Sequence, residues 1–252
     1  MAKNFKIWRA LHTLENEVWL WINREDIYLS KTPWVLDTES DAIKYWVQKI
    51  ITEIWSVLNL SDFWAFDMGN WPYASTQWYQ NQAMIDRDTW LWLQACAIKI
   101  DNLLRDEPYQ KNKPHYDFFL VDKDLTIEWE SSNKFIFWLW PYPNNIVSVT
   151  RFREYIKDDV LRLISLSILW AHEVWHNFDL VNRNFNTWSE WYNIWHCMWE
   201  SGPCLMQQVN VWGKTVDQLA REIIDKESWL CIDCTKEITV KKEYLSWKWI
   251  QF

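Results

Sequence analysis

The 252-residue chain carries 34 acidic against 26 basic residues, a net charge of -8, and five cysteines. Such a length suits one domain with a sizeable core, spanning 1–252, and the acidic balance argues against the Lys/Arg footprint of a nucleic-acid binder. No stretch approaches the ~20 apolar residues of a membrane span and the first residues lack a signal peptide's apolar run, so the expectation is a cytoplasmic protein with no membrane partner.

Apolar residues Ala42, Ile43, Val47, Ile50, Ile51, Ile54, Val57 and Leu58 recur at helical spacing and predict an amphipathic helix over about 40–58. Residues 60–82 read as polar and turn-rich. A second helix is predicted over 86–105 through Leu93, Ala95, Ile98, Leu103 and Leu104, which makes 1–110 a helical N-terminal part. Cys96 within that pattern reads as a small buried side chain.

After Pro114 the composition changes. Tyr116-Asp117-Phe118-Phe119-Leu120-Val121 has the aromatic and β-branched content of a buried strand. Residues 134–137 and 145–150 predict two more, joined by a turn through Pro141, Pro143, Asn144 and Asn145. A long helix follows over 154–178, with Val160, Leu161, Leu163, Ile164, Ile168, Leu169 and Val174 on its apolar face. Helices, then strands, then a late helix describe an α+β architecture.

The chain has 24 Trp against 3 Gly, although Gly ordinarily makes up roughly 7% of a protein and Trp is rare. Several Trp stand in turn contexts that favour glycine, at Asn70-Trp71-Pro72, Trp138-Leu139-Trp140-Pro141, Trp188-Ser189-Glu190-Trp191 and Val211-Trp212-Gly213. The expectation is a gene that reads UGA as glycine, rendered here with tryptophan at many of those codons, some Trp being genuine. The rival is a Trp-rich interior or carbohydrate platform.

The late helix carries His172-Glu173-Val174-Trp175-His176. Histidines four apart project from one helical face and can share a metal, and Glu173 beside the first can take a proton from a water that the metal activates. Downstream come His196-Cys197, Cys204-Leu205-Met206 and Cys231-Ile232-Asp233-Cys234. Four clustered cysteines ending in Cys-x-x-Cys signal zinc ligation in a cytosolic protein. His12 and His115 have no motif around them and read as surface or strand-end residues.

Residues 172–234 resemble the archaemetzincins, metzincin-type zinc peptidases whose signature is HExxHxxGxxH followed by Cys, Cys-x-Met and Cys-x-x-Cys. The resemblance implies a metzincin-like twisted mixed sheet with an active-site helix, and a C-terminal part stabilised by a four-cysteine zinc within 111–252. It implies two zinc ions per chain and a peptide or protein substrate. His172, His176 and His196 would hold the catalytic zinc with Glu173 as general base, Met206 would form the methionine turn, and Cys197, Cys204, Cys231 and Cys234 would hold a structural zinc. Trp175 falls where the family has glycine.

The departures are specific. The helix-ending glycine is Asp179, the expected third histidine is Asn182, and His196 lies 14 residues further on, across an apparent loop insertion. Lengthening a loop costs little free energy, so His196 can still return; Asp179, seven residues after His172, is the rival third ligand. The strand around 146–150 would be the family's substrate rail. Two readings compete with the peptidase: a non-catalytic zinc-stabilised binding protein, and a nucleic-acid zinc ribbon. The ribbon is disfavoured because Lys236, Lys241, Lys242 and Lys248 are interrupted by Glu237 and Glu243.

Overall fold

Strand β5 (Tyr116–Val121) shows why the core has two sides. Successive side chains of a strand point to opposite faces. Tyr116, Phe118 and Leu120 join one apolar cluster, and Phe119 and Val121 join another. A strand buried on both faces needs layers above and below it. In the computed structural model the described residues are 26–54, 59–64, 72–86, 93–127, 136, 138–139, 144–177, 203–207, 215–226, 229–232, 234–236 and 238–239.

Five strands form the main sheet, in the order β2 (Asn59–Trp64), β1 (Asp26–Lys31), β5, β8 (Asn145–Ser148), β7 (Trp138–Leu139). The first four run parallel and β7 pairs antiparallel to β8. Helix α1 (Asp37–Ile54) connects β1 towards β2 and lays Ile43, Val47, Ile50 and Ile51 on the face made by Ile27, Leu29, Phe118, Leu120 and Val147. On the opposite face, helices α2 (Thr76–Gln82) and α3 (Ala97–Asp106) bring Tyr79, Ile100 and Leu104 against Phe119, Val121 and Ile146. Short helix α4 (Pro108–Asn112) follows α3. A small second sheet joins β3 (Met84–Asp86), β4 (Leu93–Cys96) and β6 (Leu125–Thr126).

Chain order differs from the sequence expectation in four places. The helix expected over 86–105 begins only at Ala97, because residues 93–96 pair with β3 and β6 as strand. The turn-rich stretch 60–82 contributes β2 and α2, and β1, unpredicted, lies inside the sheet between β2 and β5. The expected helix over 154–178 is two helices, α5 (Thr150–Tyr155) and α6 (Asp159–Asn177). Asp158 divides them: its carboxylate accepts the Leu161 N–H at 2.8 Å, an N-cap that starts a new helix.

Of the strand expected at 134–137, only Ile136 is described, bridging to Leu125. The expected strand at 145–150 stops at Ser148, and it is no open rail. β8 is paired on both sides, by β5 and by β7, so its backbone has no free edge for a substrate strand over residues 146–147.

Helix α6 packs on α1 and on α7 (Val216–Asp225). Leu166, Ile168, Leu169, Ala171 and Val174 are buried in the same cluster as Ile43, Val47, Leu219 and Ile223. This packing sets the helix that carries the histidine motif. No helix among the described residues is long and apolar enough to cross a membrane.

Candidate metal centre

The last turns of α6 bring His172 and Glu173 into the interior, 5% and 1% exposed. His176 follows one helical turn later on the same face; its side chain lies outside the described residues. His172 Nδ1 is 2.7 Å from the carbonyl oxygen of Leu205. A carbonyl only accepts, so Nδ1 carries the proton, and in the neutral ring Nε2 keeps its lone pair. This is the way metal-ligating histidines are oriented by a partner behind the ring. Glu173 Oε1 lies 3.9 Å from that Nε2.

Leu205 sits in a turn over residues 204–207, closed by the Gln207 N–H donating to Cys204 O at 3.0 Å. Its own N–H donates to Trp229 O at 2.7 Å. Met206, beside it, is fully buried. The same turn starts with Cys204, and the sulfurs of Cys204, Cys231 and Cys234 lie within 4.8 Å of one another, all buried. Cys204 Sγ and Cys234 Sγ are 3.6 Å apart. That is far beyond a disulfide's ~2.05 Å. It is close to the ~3.8 Å edge of a tetrahedron whose metal–sulfur distance is ~2.3 Å. The Cys234 backbone N–H donates to Cys231 Sγ at 3.5 Å. Three gathered, buried thiol sulfurs suit a soft or borderline cation such as zinc.

The remaining predicted ligands, His196 and Cys197, lie outside the described residues, as do Asp179 and Asn182. Cys96 is buried at the end of β4, as its apolar surroundings imply. Trp175, inside the histidine motif, is fully buried with its ring centroid 5.4 Å from that of Trp229. Among the described residues, neither its indole N–H nor that of buried Trp170 has a hydrogen-bond partner. Among the described residues the one non-glycine with positive φ is Tyr73, at 63°, two residues after the turn-context Trp71, which lies outside them.

A second polar cluster was not legible from motif reading. Glu107, before α4, meets His115 and Asp117 at the start of β5, their ligand-type atoms within 4.8 Å. His115 is 1% exposed rather than at the surface. Its Nδ1 faces Lys113 O at 2.7 Å and its Nε2 faces Asp117 Oδ1 at 3.1 Å. Both partners are acceptors, so the ring carries two protons and forms an ion pair with Asp117. Burial pulls the His115 pKa down, but the Asp117 hydrogen bond and charge, with the Lys113 carbonyl, outweigh it and raise the pKa.

The rings of Tyr28 and Tyr109 flank the imidazolium at 4.3 and 5.3 Å, a favourable setting for a cation. Gln110 donates to Asp117 Oδ2 and to His115 O, and accepts the His115 N–H. Glu107 is pushed up to about 7, first by burial and then by the Asp117 charge, with His115 and Tyr79 pulling it partly back. His115, Asp117 and Gln110 are tied to one another by these hydrogen bonds, as in a structural clasp.

No family model matches the chain, and no curated protein matches it. Among solved structures it is similar to an archaemetzincin from Methanopyrus kandleri, with TM-score 0.50 and 17% identity over 87% of this chain and 96% of the other. It is also similar to a zinc-dependent peptidase from Methanocorpusculum labreanum, with TM-score 0.49 and 18% identity over 84% and 99%. At that likeness the chain has the fold of an archaemetzincin.

Proposed function

We propose that this protein is a zinc-dependent peptidase whose catalytic zinc is held by His172, His176 and His196, with Asp179 as the rival third ligand. The observation that carries the reading is the His172 ring, locked by the Leu205 carbonyl with Nε2 as its donor atom and a buried carboxylate 3.9 Å away. The solved archaemetzincin of the same fold supports it. A second, structural zinc belongs to Cys197, Cys204, Cys231 and Cys234; the sulfur spacing of the three described cysteines fits it. The substrate is a peptide or protein, the setting cytoplasmic, and 1–252 one catalytic domain.

Zinc at the histidine site would polarise the scissile carbonyl and make water acidic enough to attack near neutral pH. The protein's own residues do the rest. Glu173 accepts the proton of the attacking water and returns it to the leaving amine, so its carboxylate ends the cycle as it began. Its burial keeps bulk water from competing for that proton. His172 is held in one tautomer by Leu205, and Met206, fully buried within the same turn, would be the methionine of the Met-turn.

Glu173→Gln tests the role of the base. Peptide hydrolysis is expected to fall by about 10²–10⁴-fold, with two zinc ions per chain retained by metal analysis. A wild-type protein that cleaves no peptide and holds one zinc per chain would instead support the non-catalytic zinc-stabilised binding protein.

A further inference from the structure

The histidine motif and the cysteine cluster meet in a single residue. Leu205 is bonded to Cys204 in the chain, and its N–H is held by Trp229 O, two residues before Cys231. Both segments that hold Leu205 therefore run directly into cysteines of the cluster. Its carbonyl is the acceptor that keeps the proton on His172 Nδ1. The backbone of His172 is set by a helix whose Leu169, Ala171 and Val174 are buried in the main core, the same core that buries Leu205 and the three cysteines. The Leu205 carbonyl, 2.7 Å from Nδ1, is what favours one tautomer of the ring.

We propose that the cysteine cluster is a positioning device for His172: a metal ion held by its sulfurs fixes the Leu205 carbonyl and so tightens metal binding at the histidine site. The inference rests on the zinc sites proposed above. Buried thiolates gathered within 4.8 Å repel one another unless a cation or protons neutralise them. A metal shared by Cys204, Cys231 and Cys234 ties the turn over 204–207 to the segment over 229–234. Without that tie the turn is held by its core packing and backbone hydrogen bonds alone, its carbonyl is fixed less tightly, and the His172 ring then divides between two tautomers, one of which presents a proton to the metal. Losing the partner behind a metal-ligating histidine costs ~10–100-fold in metal affinity. The coupling is reciprocal, so a metal on the histidines tightens the thiolate site by the same factor.

The full chain, stripped of metal, is titrated with Co²⁺ with and without prior filling of the cysteines by Cd²⁺, a soft cation that prefers thiolates. Visible absorption reports cobalt at the histidines, and imidazole nitrogen NMR reports the His172 tautomer. Cobalt is expected to bind ~10–100-fold more tightly when cadmium is present, with His172 converting from a tautomer mixture to the single Nδ1–H form. In Cys231→Ser, cadmium should no longer change the cobalt affinity. Equal affinity with and without cadmium overturns the coupling. A metal-free chain that has lost its far-UV circular dichroism also overturns it, because the linkage would then be global folding. Failure of cobalt to bind in either state, with the fold intact, overturns the histidine site itself and so refutes the peptidase reading.

Discussion

Glu107→Gln isolates the cost of a half-buried charge beside the start of β5. The Glu107 carboxyl titrates at about 7 in the folded protein against an ordinary 4.5, because burial and the neighbouring Asp117 charge both disfavour ionisation. An acid whose folded pKa is raised binds more protons in the folded state, so its contribution to stability is complete below the ordinary value and is lost as pH rises through the folded one. At about 1.4 kcal/mol per pH unit, the loss between pH ~4.5 and ~7 is on the order of 2–3 kcal/mol. Glutamine keeps the shape and the acceptor for Tyr79 without the charge. The variant should match wild type near pH 4.5 and exceed it near pH 8, by roughly 5–10 °C in melting temperature for a chain of this size. His115, whose folded pKa is also raised, adds a second loss of the same sign above its ordinary value of 6.5, which persists in the variant. Melting curves of both proteins across this range make the test. Parallel pH profiles, or a variant less stable than wild type near pH 8, would refute the account of the clasp.

Two further predictions concern other parts of the fold. Arg151 is buried between Asp124, which accepts its Nε at 2.8 Å, and Glu154. Arg151→Met should cost about 3–5 kcal/mol in urea unfolding by stranding the buried Asp124 carboxylate, and Asp124→Leu added to it should restore much of that; a loss below 1 kcal/mol would show the ion pair is dispensable. A buried indole N–H left without a hydrogen bond costs about 1–3 kcal/mol, and those of Trp170 and Trp175 have no partner among the described residues. Glycine in place of tryptophan would remove that cost, so the gene should show UGA at most of the 24 Trp codons; a majority of UGG would refute the recoding reading.

The amino-acid sequence by itself determined the chemistry and the local faces. Four-residue spacing put His172 and His176 on one face of a helix, the clustering of Cys204, Cys231 and Cys234 singled them out as candidate sulfur ligands, and the apolar run of β5 marked a buried strand. Each of these is a property of neighbours in the chain, which periodicity reports. The tertiary structure decided what depends on remote partners. Residues 93–96 became strand because β3 and β6 offered backbone pairing that outweighed their helical spacing, and Asp26–Lys31, short and flanked by charges, became an inner strand by lying between β2 and β5. The clasp at His115 and the bond from His172 to Leu205, 33 residues away, arise when separate segments pack together. A hydrogen bond between distant residues leaves no period in the sequence, so only the folded chain shows which proton the histidine keeps.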